Sequence, residues 1–216
     1  MVDFERVRAQ MVESQLRGGG VTNAPILARM RAISRENFVP AERRSVAYVD
    51  TVQWFDGTGR FLAPPAILAK LLQLAEITAA DTVLDIGAAT GYSTAIISGI
   101  AASVVAVEQD AGLAAAAVAN LAALGLANAS VVAGSVEQLG AAGFDVIIVQ
   151  GSLDSVPESF LAALNEGGRL VALVRAGAVS VAHVFVKSGG RVTARAEFNA
   201  SLPALPLERA KEAFVF

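Results

Sequence analysis

The sequence predicts an α/β fold: a doubly wound, mostly parallel sheet of seven strands, preceded by a helical extension. Three observations predict it. Short Val/Ile-rich runs (TVLDIG, SVVAVE, ASVVAG, FDVIIVQ and GRLVALV) recur from Thr82 onward, separated by segments with helical spacing. Most of each run is continuously apolar rather than alternating, as in parallel strands covered on both faces. The first run passes through a glycine-bracketed turn, VLDIGAATGYS at residues 83–93, into a helical pattern.

Taken in order, Asp3 is placed to cap a first helix that ends at Gly18, Gly19 and Gly20. Thr22 or Asn23 caps a second, which carries Ile26, Leu27 and Met30. A looser stretch with Pro40, Gly57, Gly59, Pro64 and Pro65 follows, and a helical pattern resumes over residues 66–74. Residues 1–75 therefore read as a helical extension with a loop, and residues 76–216 as the sheet-bearing core. After the five runs, HVFVKSGGRVTARAEF reads as a hairpin turning at Ser188, Gly189 and Gly190, which brings the strands to seven.

Composition removes several classes of function. The 216 residues are enough for one domain with a full core. Because 54% are apolar and only 17% charged, a membrane span has to be considered. The longest uncharged stretch, residues 111–136, is long enough to cross a bilayer. It is mostly alanine, broken by Asn120, Gly125, Asn128 and Ser130, and reads as a helix, a turn and a strand. The opening MVDFERVRAQ is charged and has no apolar core of a secretory signal. With no cysteine there is neither a disulfide framework nor a thiolate metal site, and no metal is expected. A formal net charge of −3 argues against a nucleic-acid binder. The expectation is a cytoplasmic protein that engages neither nucleic acid nor membrane. The charge-free helix at residues 111–123 presents an alanine face, either a subunit contact or a padded surface, so a monomer or weak homodimer is expected.

The glycine turn carries the chemistry. In an open α/β sheet, ligands bind beyond the C-terminal strand ends, and the first turn is the usual cradle. A dinucleotide fold uses G-x-G-x-x-G, so that backbone can approach a pyrophosphate. Here Gly87 and Gly91 bracket Ala88, Ala89 and Thr90, and the methyl group of Ala89 fits a pyrophosphate poorly. No Gly-Lys-Ser/Thr follows, which excludes a P-loop. Asp85 stands two residues before Gly87, and Glu108 ends the strand SVVAVE. That pattern suits S-adenosylmethionine (SAM). Asp85 can hold its ammonium, directly or through water, and Glu108 can accept both ribose hydroxyls. The cationic sulfonium needs no anion nest. In the purely structural alternative, Asp85 caps the turn and Glu108 is solvated.

Further blocks carry a family likeness: MVESQLRGGGV, ILARMRAISRENFVP and AYVD in residues 11–50, then PAILAKLLQL, VLDIGAATGYS, VVAVEQD, FDVIIVQG and LNEGGRLVALV. Over most of its length the chain resembles the protein-L-isoaspartate O-methyltransferases, Rossmann-like enzymes that use SAM. The resemblance implies methyl transfer to the side-chain carboxylate of an isoaspartyl residue, the first step in repair of damaged proteins. It also implies a protein or peptide partner, S-adenosylhomocysteine (SAH) as product, and a substrate loop before the PAILAKLLQL helix.

The departures from the family concentrate in that loop, GTGRFLAPP at residues 57–65. Where the family carries glutamine, threonine and an active-site serine, this chain has Arg60, Phe61 and Ala63. Ser135 replaces the family's aspartate after the third strand, and Ala89 replaces the middle glycine of the turn. Loss of the serine does not remove the chemistry, because a carboxylate acceptor is already ionised at neutral pH and needs no general base. The altered loop opens a second reading, methyl transfer to another peptide or small acid, and a third, SAM binding without turnover. Arg60 is expected either to clamp an acceptor carboxylate or to be a solvated loop arginine. Trp54 and Phe55, which flank the loop with Asp50, read as core or lid packing. His183 reads as a half-buried structural histidine. Arg29, Arg31, Arg35, Arg43 and Arg44 read as a solvated charged face.

Overall fold

The computed structural model describes residues 2–207. The first helix, α1 (Phe4–Gln10), is capped by Asp3, whose carboxylate accepts from the backbone N–H of Arg6. It continues as a π-helical segment over Met11–Arg17 and ends at the three glycines. Of the two candidate caps for α2 (Ala24–Ala32), Asn23 does the work, accepting from Ile26 N–H at 3.1 Å. Thr22 instead donates its N–H to Gln73.

The stretch expected to be loose is more ordered than its prolines and glycines suggest. Two 3-10 turns (Arg35–Asn37 and Ala41–Val46) lead to a short antiparallel hairpin, β1 (Gln53–Phe55) and β2 (Arg60–Leu62). Three-residue strands carry too little periodicity to read from sequence. Asp50 reaches forward and accepts from Ala66 N–H at 3.0 Å, tying this segment to the start of α3 (Pro65–Leu74).

The apolar runs form the sheet as expected. They are β3 (Thr82–Ile86), β4 (Ser103–Glu108), β5 (Ala129–Ala133), β6 (Phe144–Leu153) and β7 (Leu164–Ala176), followed by the hairpin β8 (Val179–Ser188) and β9 (Arg191–Ala200). Their spatial order is β5-β4-β3-β6-β7-β8-β9. The first five run parallel, and β8 and β9 are antiparallel additions. Gly189 and Gly190 make the hairpin turn with φ of +58° and +72°, a left-handed pair that suits the twist of the flanking strands. The direction of winding reverses between β3 and β6, and the crevice at their C-terminal ends is the topological switch point.

Both sheet faces are covered. One face joins α1, α2, α3 and the helices at residues 92–97 and 111–123 in a single apolar cluster that runs from Met11 to Leu202 and includes Val83, Val146, Ile148 and Val171. The N-terminal extension thus shares the core of the sheet. The opposite face packs Leu84, Ile86, Ile147 and Leu170 against Phe160 of α6 (Glu158–Ala162) and against Leu205. After β9 the chain returns to the crevice. Ala204 pairs with Ser152, with Ser152 N–H donating to Pro203 O and Leu205 N–H to Ser152 O. Residues 111–123 form α5 (Ala111–Ala123), capped by Asp110, and among the described residues no helix is long and apolar enough to cross a membrane.

Candidate active site

Asp85 and Glu108 end adjacent parallel strands, with the glycine turn between them. Gly87, Ala89 and Gly91 all adopt positive φ (+77°, +50° and +88°), so a left-handed turn lifts the chain from β3 into α4 (Tyr92–Ile97). Gly87 and Gly91 suit this conformation, whereas Ala89 holds it with a side chain present. Its N–H donates to Glu108 Oε2 at 2.8 Å, which ties the turn to the neighbouring strand. Asn120 of α5 steadies the turn from outside by donating to Thr90 O, and the Thr90 hydroxyl donates to Phe38 O.

Asp85 is fully buried. Its Oδ2 accepts from the hydroxyls of Ser93 and Thr94 at 2.6 Å each, and its Oδ1 from the Gln150 amide at 2.7 Å. Burial pushes its carboxyl above the ordinary carboxylate range, against those three donors. Sequence reasoning missed all three partners. The TGYST spacing, which puts two hydroxyls in the first turn after the glycines, was the available signal.

Glu108 has no exposed surface, so it is not the solvated acid of the structural alternative. Oε1 accepts from Asp110 N–H at 2.9 Å and from Arg60 Nε at 2.8 Å. Arg60 is likewise not a solvated loop arginine, being only 4% exposed. Its Nη1 donates to Pro206 O at 2.8 Å and its Nη2 to Gln109 Oε1 at 3.2 Å. In this structure the guanidinium clamps Glu108 rather than standing open to an acceptor.

Next to this pair lies a cavity of about 280 Å³, walled by Ile86, Gly87, Val107, Ser135, Val136 and Phe160. Ser135 caps the 3-10 turn Val136–Leu139 in a reciprocal box with Gln138. The Ser135 side chain also draws the Glu137 carboxyl below its ordinary range. On the other side of Gly87, a cavity of only about 10 Å³ is bounded by Ala63, Phe61, Arg35, Ala88 and Gln150. Ala63 is buried, and its carbonyl accepts from Arg35 Nη2 at 2.8 Å.

Arg35 departs furthest from expectation. It is completely buried, donates through Nε to Ala47 O, and lies 4.8 Å above the Tyr92 ring. Arg29 is half-buried and donates to Ala95 O, while Arg31 and Arg44 do face solvent. Five arginines close in sequence thus fall on three separate segments rather than one face. Phe55 is buried, and Trp54 meets Phe61 edge-on at 5.3 Å. His183 is half-buried, with Nδ1 2.9 Å from Val181 O.

A doubly wound α/β protein with two buried acids beside an apolar cavity at its switch point is built to hold a nucleoside. Known proteins narrow that class. The sequence profile described as "Protein-L-isoaspartate(D-aspartate) O-methyltransferase (PCMT)" matches residues 6–202. A protein-L-isoaspartate O-methyltransferase of Koribacter versatilis is 36% identical over 194 residues, covering 89% of this chain and 87% of that protein. One from Methylorubrum populi is 39% identical over 168 residues, covering 77% and 79%. A solved protein-L-isoaspartate O-methyltransferase superposes with a TM-score of 0.76 at 25% identity, covering 92% of this chain and 66% of that one. A Plasmodium falciparum structure of the same assignment, in complex with S-adenosyl-L-homocysteine, superposes with a TM-score of 0.78 over 92% of this chain and 98% of that one. At 18% identity it supports the fold alone. This chain belongs to the PCMT family, whose enzymes are SAM-dependent O-methyltransferases.

The residues present fit SAM. A Cβ at Gly87 would come within 2.6 Å of Leu205 Cδ1, so only a glycine lets the returning chain pack this closely on the turn. The apolar cavity suits an adenine ring, and two carboxylates suit a cationic ligand bearing ribose hydroxyls.

Proposed function

We propose that this chain transfers the methyl group of SAM to the side-chain carboxylate of isoaspartyl residues in damaged proteins or peptides. The observation that carries the reading is the pair Asp85 and Glu108 on neighbouring strand ends, with the glycine turn between them and an apolar cavity alongside. Glu108 would take the ribose hydroxyls, Ser135 and Val136 would border the adenine, and Asp85 would set a negative charge beneath the turn at Gly87, Ala89 and Gly91. When bound, SAM supplies a methyl group that passes to an acceptor carboxylate oxygen, and the C–S electron pair returns to sulfur.

The chain's own residues then have to orient the acceptor and exclude water. Ala63 and Phe61 form an apolar wall where the family has hydroxyls, and the buried Arg35 guanidinium fixes the backbone of that wall at Ala63. No side chain needs to remove a proton, because the acceptor is already a carboxylate at neutral pH. The reading includes a cytoplasmic protein that acts on peptide or protein, as a monomer or weak homodimer, without nucleic acid. The test is incubation with methyl-labelled SAM and an isoaspartyl peptide beside its aspartyl twin. Base-labile label on the isoaspartyl peptide alone is the expected result. Equal labelling of both, or of neither, would refute the assignment.

A further inference from the structure

We propose that Arg60 sets this chain's affinity for its methyl donor: it occupies the ribose carboxylate, Glu108, and pins residues 203–207 across the crevice. The inference rests on the SAM reading above and adds a residue that works against binding. Three observations carry it. First, the Arg60–Glu108 ion pair is buried on both sides, and Arg60 Nε lies on the same carboxylate oxygen, Oε1, that Asp110 N–H already uses. A ribose hydroxyl reaching Oε1 has to displace that guanidinium. Second, Arg60 Nη1 holds Pro206 O, while Leu205 lies against Gly87.

Third, Arg60, Gln109 and Leu207 border both the 280 Å³ cavity and a second one of about 300 Å³ on the other side. The arginine and the returning chain form a partition. Each cavity alone stands at the foot of the roughly 300–1,000 Å³ range of small-molecule sites, and the two opened into one fall well inside it.

Charge gives the proposal a signature. The Arg60 guanidinium neutralises Glu108, so removing it leaves the crevice more negative, which favours the cationic sulfonium of SAM over the neutral thioether of SAH. Replacing Arg60 by glutamine, the residue the family resemblance places there, removes the charge and leaves Oε1 with Asp110 N–H alone. Glu108 keeps its two backbone donors from Ala89 and Asp110 and so stays in place.

The experiment is calorimetric titration of wild type, Arg60→Gln and Leu205→Ala with SAM and with SAH, with thermal melts of each protein. Arg60→Gln is expected to tighten SAH by about tenfold, the worth of one charge-assisted hydrogen bond, and SAM by more. Leu205→Ala, which loosens the strap but keeps the charge, should tighten both ligands equally and by less. Folded Arg60→Gln that binds either ligand no more tightly than wild type would overturn the proposal. If Arg60→Gln does not fold, Leu205→Ala decides by the same criterion. If no form of the protein binds either ligand, the SAM reading falls, and this proposal with it.

Discussion

Asp85, a carboxylate held by two hydroxyls and an amide with no exposed surface, is where chemistry and stability meet. Asp85→Asn puts an N–H where the Ser93 and Thr94 or Gln150 donors need an acceptor. It should cost about 1–3 kcal/mol in denaturant unfolding and weaken SAH binding. At Ala63 the change runs the other way. Ala63→Ser restores one hydroxyl at the acceptor wall and should raise kcat/KM for an isoaspartyl peptide by about 5- to 150-fold, the range of one transition-state hydrogen bond. Asp145 gives a pH test away from the site. The Thr82 backbone N–H, then the Asn165 side chain, holds its carboxyl below the ordinary range. Its contribution to stability is therefore complete above about pH 4 and is lost as pH falls through the folded-state value. Asp145→Asn should melt lower than wild type at pH 7, and the gap should narrow below pH 4. The acids at the site were legible in the sequence because strand ends and glycine turns leave a local signature. The partners of Arg35 and Arg60 were not, since each lies 12 to 146 residues away and only the folded chain brings them together.

Among the elements, α5 shows how little charge a helix needs when propensity and capping agree. Alanine is the strongest helix former, and Asp110 closes the N-terminus by accepting from Leu113 N–H at 2.9 Å. Asp110→Ala should cost about 1 kcal/mol, read as a lower Tm, without moving the backbone N–H that holds Glu108. The helix exposes Val118 and Leu124 among small residues. Isolated side chains of this kind bury too little area for a stable interface, and sedimentation over a wide concentration range is expected to find a monomer. The seven strands, of which the last two make the final hairpin, and helices α1 to α5 could be read ahead from apolar pattern, caps and turn glycines. The π-helical segment Met11–Arg17 and the β1–β2 hairpin could not. The first keeps a helical pattern, and the second has three residues a side among glycines.

For the whole molecule, topology places the site and the returning chain limits it. The switch between β3 and β6 opens a crevice, and residues after β9 fold back to fill part of it through Ser152 and Gly87. Nothing in SLPALPL beyond its two prolines, which favour an extended path, announces that return. On the function proposed above, this crevice holds a sulfonium nucleoside on Glu108. A crystal structure of the chain with SAH tests that most directly. The predicted result is the ligand along the turn at residues 87–91, ribose hydroxyls on Glu108, adenine beside Ser135 and Val136, and Arg60 withdrawn. SAH bound elsewhere, or an unchanged Arg60–Glu108 pair at saturating ligand, would contradict it.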